Sequence, residues 1–273
     1  MKRDFDESAN INSPKSLDVI VLCKDNQFEL NRTLKSIPRT TEKLRLKIKV
    51  FDGSINELDI KKHKEKFARK NIEVIYFNTE KISIKGIYQC MNYALSKVSG
   101  DWFIFMNSGD EFFSKSILEN IEKYFFLDKN IKVLFGRAKI IGRRYWIVPP
   151  QNIRSIRLWL KFFMPNHQAM FVSSALSSVY KFNTNSPSNA DQEWKFKLLN
   201  TFDFEYIPQN ICNFYLGGIS SSYNYNTIKL KLKEKKRSKI SKIFEICKFI
   251  LNKFNIDIEF LQCIKNYLVS LII

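Results

Sequence analysis

The stretch FIFMNSGDEFF, Phe103–Phe113, is apolar and strand-like as far as Met106. It then breaks at Asn107-Ser108-Gly109-Asp110, and an acidic and aromatic segment follows. An uninterrupted apolar run of this kind suits a strand buried on both faces, as at the centre of a parallel sheet. The polar stop leaves two readings open: a tight turn chosen for its geometry, or a strand end that delivers one carboxylate to a ligand.

The flanking segments repeat the pattern. Upstream, Ile84–Val98 sets Ile87, Met91, Ala94, Leu95 and Val98 on one helical face and runs through Ser99-Gly100-Asp101 into the strand. Further upstream, LDVIVLC (Leu17–Cys23) is a buried-type strand, and NQFELNRTLKSI has helical spacing up to Pro38. LRLKIKVF is a second strand entering Asp52-Gly53-Ser54, ELDIKKHKEKFARK a charged helix, and IEVIYF a third strand. This alternation predicts an α/β fold: a Rossmann-like, mostly parallel sheet flanked by helices, with ligands at the carboxyl ends of strands near a topological switch. Asp25, Asp52 and the tetrad Asn107–Asp110 all fall on that rim.

Downstream, SKSILENIEKYFF reads as a helix, KVLFGRAKI with RRYWIV as an added hairpin, and ADQEWKFKLLN as another helix. FEYIP reads as a short strand ahead of ICNFYLGGISSS. Residues 1–16 are expected to be a disordered leader, 17–226 a catalytic domain and 227–273 a basic, amphipathic helical extension.

Composition narrows the classes. With 273 residues, 45% of them hydrophobic, the chain can bury one sizeable core. The net charge of +18 favours anionic partners, whether nucleic acid, an acidic membrane face or a phosphorylated substrate. The five cysteines are widely spaced, with no CxxC pair, and read as reduced core thiols. No apolar signal segment or membrane span is evident, so the expected location is cytoplasmic. A nucleic-acid partner is not expected: no zinc, RRM or helix-turn-helix signature appears, and the most basic stretch lacks interleaved aromatics. CKDNQF, after the first strand, has no glycine, which excludes the dinucleotide fingerprint.

Three places could carry chemistry. At VFDGS, Asp52 can accept hydrogen bonds from a nucleobase or ribose while Gly53 permits close backbone approach; an Asx turn is the alternative. The tetrad delivers Asp110, suited to a hard cation such as Mg²⁺ or Mn²⁺. PNHQAMF and NADQEW bring His167, Asp191 and Glu193; the two acids suit either helix capping or general-base work.

In order along the chain, DGS, GIYQCMNYAL, SGDWFIFMNSGDEFF, NHQAMF, ADQEWKFKLL and NFYLGGISS resemble the motifs of family 2 glycosyltransferases with the GT-A fold. The likeness is greatest to the bacterial branch that builds capsule, exopolysaccharide and lipopolysaccharide O-antigen, and it covers roughly residues 17–222. The resemblance implies an inverting enzyme that takes a nucleotide-diphosphate sugar, most often a UDP-sugar, with Mn²⁺ or Mg²⁺. It implies Asp191 as the acceptor-activating base, with Glu193 in reserve. Nucleotide-sugar contacts are implied at Asp25, Asp52, Gly53, Lys85, Asn92, Asn107, Ser108 and His167, and a metal ligand at Asp110, with Asn107 as a second. The family's metal segment carries two or three aspartates, whereas here its first position is Asn107 and only Asp110 is charged. That puts the metal in doubt, and a glycosyltransferase-like protein that binds without transferring is the alternative function.

Between Lys229 and Lys242 eight basic residues accompany a single acid, and Ile240, Ile243, Phe244, Cys247, Ile250, Leu251 and Phe254 follow on one helical face. A basic stretch joined to such a helix suits the anionic inner face of a membrane, where a lipid-linked or saccharide acceptor would be met. A domain-closing helix or a dimer interface is equally compatible with the periodicity.

Overall fold

The strand containing Phe103 lies inside a sheet covered on both faces, and its alternating side chains show why its sequence is apolar throughout. In this computed structural model, residues 13–185 and 189–217 are described, with Glu259 and Cys263 beyond them. The expected leader and basic extension therefore lie almost wholly outside the described residues.

The first half of the sheet comprises β1 (Lys15–Cys23), β2 (Leu44–Asp52), β3 (Glu73–Asn78) and β4 (Trp102–Phe105). All are parallel, in the order β3-β2-β1-β4. Helix α1 (Gln27–Ser36) joins β1 to β2, α2 (Lys61–Ala68) joins β2 to β3, and α3 (Ile87–Ser96) joins β3 to β4. On β1, Leu17, Val19, Val21 and Cys23 face the layer holding Leu30 and Leu34 of α1; on β4, Trp102 and Ile104 do the same. Ile20 and Leu22, with Phe103 and Phe105, face the layer of Met91, Ala94 and Leu95 of α3. Since the chain passes to β2 on one side of β1 and to β4 on the other, the switch point lies between β1 and β4.

Two of the charges in these strands, Asp18 and Lys49, are buried against each other. Lys49 of β2 donates to Asp18 of β1 at 2.6 Å, to the Lys97 carbonyl at 2.5 Å and to Ser99 Oγ at 2.8 Å. The same Asp18 oxygen accepts from the Ser99 and Gly100 amides. This buried pair ties the end of α3 to the sheet and sets the turn into β4.

The second half is mixed. It contains β5 (Glu111–Phe112), β6 (Ile131–Ile141), β7 (Tyr145–Val148), β8 (Met170–Ser173) and β9 (Asp203–Tyr215). The sheet continues β4-β8-β6-β9-β5, with β7 pairing β6 as the expected hairpin. Strand β8 is antiparallel to β4 and β6, while β9 is parallel to β6. FEYIP and ICNFY, expected to be separate, form the single strand β9, whose register against β6 shifts near Gly136. A Cβ at Gly136 would stand 2.8 Å from the Gln209 carbonyl, so glycine admits the close approach. Helix α4 (Ile117–Ile121) is shorter than its sequence suggested and tightens into a 3₁₀ turn, Glu122–Phe126. Then follow α5 (Ile156–Leu160) and, last, α6 (Ala190–Thr201), which packs Trp194 and Leu198 onto the α3 side of the sheet.

Beyond residue 217, Glu259 accepts from the Arg144 amide and the Cys263 thiol meets the Tyr145 carbonyl, both at the β6–β7 turn. Cys23, Cys90 and Cys212 are buried free thiols. Among the described residues no helix is long and apolar enough to cross a membrane.

Candidate active site

Side chains from the carboxyl ends of β1, β2 and β4 meet at the switch point. The Gly53 amide bonds to the Cys23 carbonyl, and the Ser108 amide to the Leu22 carbonyl, so the loops after β2 and β4 flank the end of β1. Asp25 follows directly, exposed and in the left-handed region at φ 52°, its amide held by Ser54 Oγ at 2.7 Å. Such strain in a non-glycine residue is typical of functional loops.

Asp52 is fully buried. One oxygen accepts from the Ser54 amide and hydroxyl, the other from the Leu58 amide and the Tyr76 hydroxyl. Burial works to raise its pKa, and these four bonds together outweigh burial and lower it. Asp52 is thus a saturated carboxylate that shapes the loop; a ligand would reach it only by displacing one of these donors. Asn92, on α3, uses both ends of its amide on the backbone of Phe182. Lys85 is exposed in the turn before α3.

The tetrad is pinned from three sides. Thr33 Oγ1 of α1 donates to the Asp110 carbonyl at 2.6 Å and accepts from the Gly109 amide at 2.9 Å. Gly109 has φ 100°, and a Cβ there would stand 3.3 Å from both Arg32 Nη2 and Glu29 Cδ. Asp110 is 5% exposed. Its Oδ1 accepts from the Tyr215 amide of β9, and its Oδ2 from Gln168 Nε2, each at 2.9 Å. Burial pushes its pKa up to about 7, against the Tyr215 amide, Arg32 and Gln168, which lower it. Arg32 lies over the Tyr215 ring at 4.1 Å.

This geometry does not fit the cation expected at Asp110. Mg²⁺ and Mn²⁺ favour oxygen ligands, and Mg²⁺ is usually held by one or two carboxylates together with substrate phosphates. Each Asp110 oxygen accepts from a donor inside the fold, and the carboxyl is almost wholly closed off from solvent. What the tetrad does offer is Asn107 Oδ1, buried and without a hydrogen-bond partner among the described residues. It is a neutral ligand. Among the described residues no three His, Cys, Asp or Glu side chains are grouped to hold a metal. Asp110 is a latch between the β4 loop, β9 and the turn at Gln168.

A second cluster forms opposite. Asp191, in the first turn of α6, lies 3.5 Å from Lys195 Nζ, and Tyr88 of α3 directs its hydroxyl at Asp191 Oδ1 at 3.4 Å. Lys195 is buried, whereas the Asp191 side chain keeps about a quarter of its exposure (24%) and faces outward. Burial works to raise the Asp191 pKa, but Lys195, His167 and the Gln192 amide outweigh it, so the carboxyl stays ionised. His167 opens a 3₁₀ turn, His167–Ala169. Burial pushes its pKa down to about 4, Asp191 opposing and Lys195 assisting, so the imidazole is neutral at pH 7. Its Nε2 is buried without a partner among the described residues. Glu193, one helical step away, is instead engaged by Asn183 Nδ2 at 3.1 Å.

The structure thus gathers Asp25, Gly53, Asn107 and Ser108 on one rim, and His167 and Asp191 on the other. The Asp110–Gln168 bond joins them. Sequence reasoning did not single out Tyr88, Lys195, Gln168 or Arg32. Lys195 alone had a readable signal: it stands four residues after Asp191, the helical spacing of an acid–base pair.

No protein-family model and no curated protein sequence matches the chain. Solved structures do. Residues 1–349 of S. aureus TarS superpose with a TM-score of 0.57 at 17% identity, over 88% of this chain and 72% of that one. The fold is GT-A. TarS in complex with UDP-GlcNAc gives 0.57 at 15% identity, over 88% and 73%. The mannosyltransferase PcManGT from Pyrobaculum calidifontis, in complex with GDP-Man and Mn²⁺, gives 0.53 at 12%, over 92% and 73%. At these identities the likeness establishes architecture, and the chemistry rests on the residues themselves.

Proposed function

We propose that the chain is an inverting glycosyltransferase of the family 2 type. It moves a sugar from a nucleotide-diphosphate sugar, with UDP-sugars the first choice, to a hydroxyl of a lipid-linked or saccharide acceptor in bacterial surface polysaccharide synthesis. The observation that carries this reading is the Asp191 cluster: an ionised, partly exposed carboxylate held from beneath by a buried lysine, in a fold shared with TarS, which has been solved in complex with UDP-GlcNAc.

In this mechanism Lys195 holds Asp191 Oδ2, leaving the carboxylate ionised and aimed at the cleft. The acceptor O–H gives its proton to Asp191, and the acceptor oxygen attacks the anomeric carbon from the face opposite the nucleotide. The bond from that carbon to the diphosphate oxygen breaks, and the configuration inverts. The lowered pKa keeps Asp191 in the ionised form that can accept the proton. Asp25, Gly53, Asn107 and Ser108 would receive the nucleotide, and the neutral His167 would offer Nε2 to a donor or acceptor hydroxyl. The basic segment from Lys229 to Lys242 would hold the enzyme on the inner face of the cell membrane, where lipid-linked acceptors reside.

Asp191→Asn tests the assignment. Transfer should fall by about 10²–10⁴-fold, the usual contribution of a positioned base, while stabilisation of the protein by UDP is retained. Loss of UDP binding with unchanged turnover per bound complex would refute the role.

A further inference from the structure

We propose that this chain binds and uses its nucleotide-sugar donor without a divalent cation, and that Asp110 serves only to position the loop that carries Asn107 and Ser108. The inference rests on the donor-site reading above. Three observations support it independently of one another.

The first is commitment. Asp110 is buried with one donor on each oxygen, the Tyr215 amide and Gln168 Nε2, both at 2.9 Å. Each oxygen keeps a second acceptor site, but the carboxyl is only 5% exposed, so a cation could reach it only by opening the packing around β9 and the His167 turn.

The second is backbone. Where the family's metal segment begins with an acid this chain has Asn107, and the residue before Asp110 is a further place on the loop from which a carboxylate could be presented. There the chain has Gly109 at φ 100°, with Arg32 and Glu29 already 3.3 Å from where a Cβ would stand. An aspartate at 109 would be strained and crowded, so the loop is shaped for the absence of a second acid.

The third is charge. Arg32 stands beside this turn, its guanidinium over Tyr215 and its Nε buried without a partner among the described residues. Lys24 follows β1 with its side chain 3.9 Å from where a Cβ on Gly53 would lie. Arg32, held against Tyr215, and the exposed Lys24 thus flank the loops after β4 and β2, and guanidinium groups suit phosphate oxygens.

The test is a calorimetric titration of the full chain with UDP, UDP-GlcNAc and GDP-Man, each in EDTA and in Mn²⁺, together with a Mn²⁺ titration followed by electron paramagnetic resonance. The proposal expects dissociation constants within about twofold in the two conditions, and no Mn²⁺ immobilised by the protein with or without nucleotide. Binding that appears only with Mn²⁺, or Mn²⁺ captured in a ternary complex, overturns it and leaves the donor site standing. Binding of none of the three nucleotides in either condition overturns the donor-site reading as well.

Two variants separate latch from ligand. Asn at position 110 can accept from the Tyr215 amide and, after Gln168 turns its amide, donate to Gln168 Oε1, which has no partner among the described residues. Asp110→Asn should therefore keep nucleotide affinity in EDTA within about threefold, whereas Asp110→Ala, which leaves both donors unpaired, should lose about tenfold or more. Equal losses in the two variants, restored by neither EDTA nor Mn²⁺, would refute the latch.

Discussion

Replacing Asp110 by Asn should change how the stability of the protein depends on pH, and the sign follows from the burial of this one carboxyl. Burial raises it from an ordinary 3.8 to about 7, with the Tyr215 amide, Arg32 and Gln168 pulling down and Glu29 pushing up. Between those values the folded chain holds a proton that the unfolded chain has released, so stability falls as pH rises through the window and levels off above about 7. At about 1.4 kcal/mol per pH unit the whole span has a ceiling of about 4 kcal/mol. The part between pH 5 and 8 is about 2.5 kcal/mol by the same relation. Asn cannot titrate, yet keeps the acceptor for Tyr215. Urea unfolding of both chains at stepped pH should show Asp110→Asn gaining about 2.5 kcal/mol on the native chain between pH 5 and 8. His167, lowered to about 4, acts with the opposite sign, removing stability as pH falls below 6.5. It is present in both chains and cancels in the difference. A difference that stays constant from pH 5 to 8 would refute the argument, because it would mean that Asp110 is ionised throughout and that its surroundings are wetter or more cationic than described.

Two other predictions concern the acceptor side and the tail. Lys195→Met removes the cation beneath Asp191, so the Asp191 pKa should rise and the acid limb of kcat/KM should move to higher pH. An unmoved limb would exclude Lys195 as the group that keeps the base ionised. Stability should fall by about 1–3 kcal/mol, less than for a fully buried pair, because Asp191 keeps some contact with water. Deleting residues 227–273 should abolish flotation with anionic vesicles, to which each Lys or Arg adds about 1 kcal/mol, and neutral vesicles should recruit neither chain. Equal flotation of the two chains would place membrane binding elsewhere.

The parallel half of the sheet was legible because strands buried on both faces have no alternation to conceal. LDVIVLC and FIFM read as strands for the same reason that Ile20 and Phe105 are buried in one layer, and Val19 and Ile104 in the other. Strand β9 was less legible: Pro208, Gln209 and Asn210 read as a break, yet the bulge in register near Gly136 carries the strand through them. Side-chain roles were legible only where partners lie close in sequence. Asp110 looked like a metal ligand because it ends a strand, and nothing local announces that its donors come from Gln168 and Tyr215, 58 and 105 residues away. Asp52 had the same fate, since Tyr76, one strand over, completes its shell. Asp18 and Lys49 were invisible for a related reason. Neither has an opposite charge beside it in its own strand until parallel pairing sets them 2.6 Å apart.

Gln168 is where the two halves of the site come into mechanical contact. It is 1% exposed; its amide holds Asp110, and its backbone amide is capped by Asn166 Oδ1 at 2.8 Å. The next residue toward the N-terminus is His167, whose charge state is set with Asp191 and Lys195. A change at the Asn107–Asp110 loop can therefore reach the Asp191 cluster through a single bond. Gln168→Leu, similar in size, leaves Asp110 Oδ2 without its donor, at a cost of about 1–3 kcal/mol. The informative measurement is a double-mutant cycle with Asp110→Ala, which removes the bond that Asp110→Asn preserves, read both as unfolding free energy and as kcat. If the two residues act through their mutual hydrogen bond, the second substitution should do less damage than the first. The coupling energy should then be about 0.5–3 kcal/mol, where independent sites add to within about 0.5 kcal/mol. Additive losses in stability would mean that the bond contributes nothing to the fold. Coupling in stability with additive effects on kcat would mean that the latch holds the loop without conveying its position to His167, and the donor and acceptor sides would then be set independently.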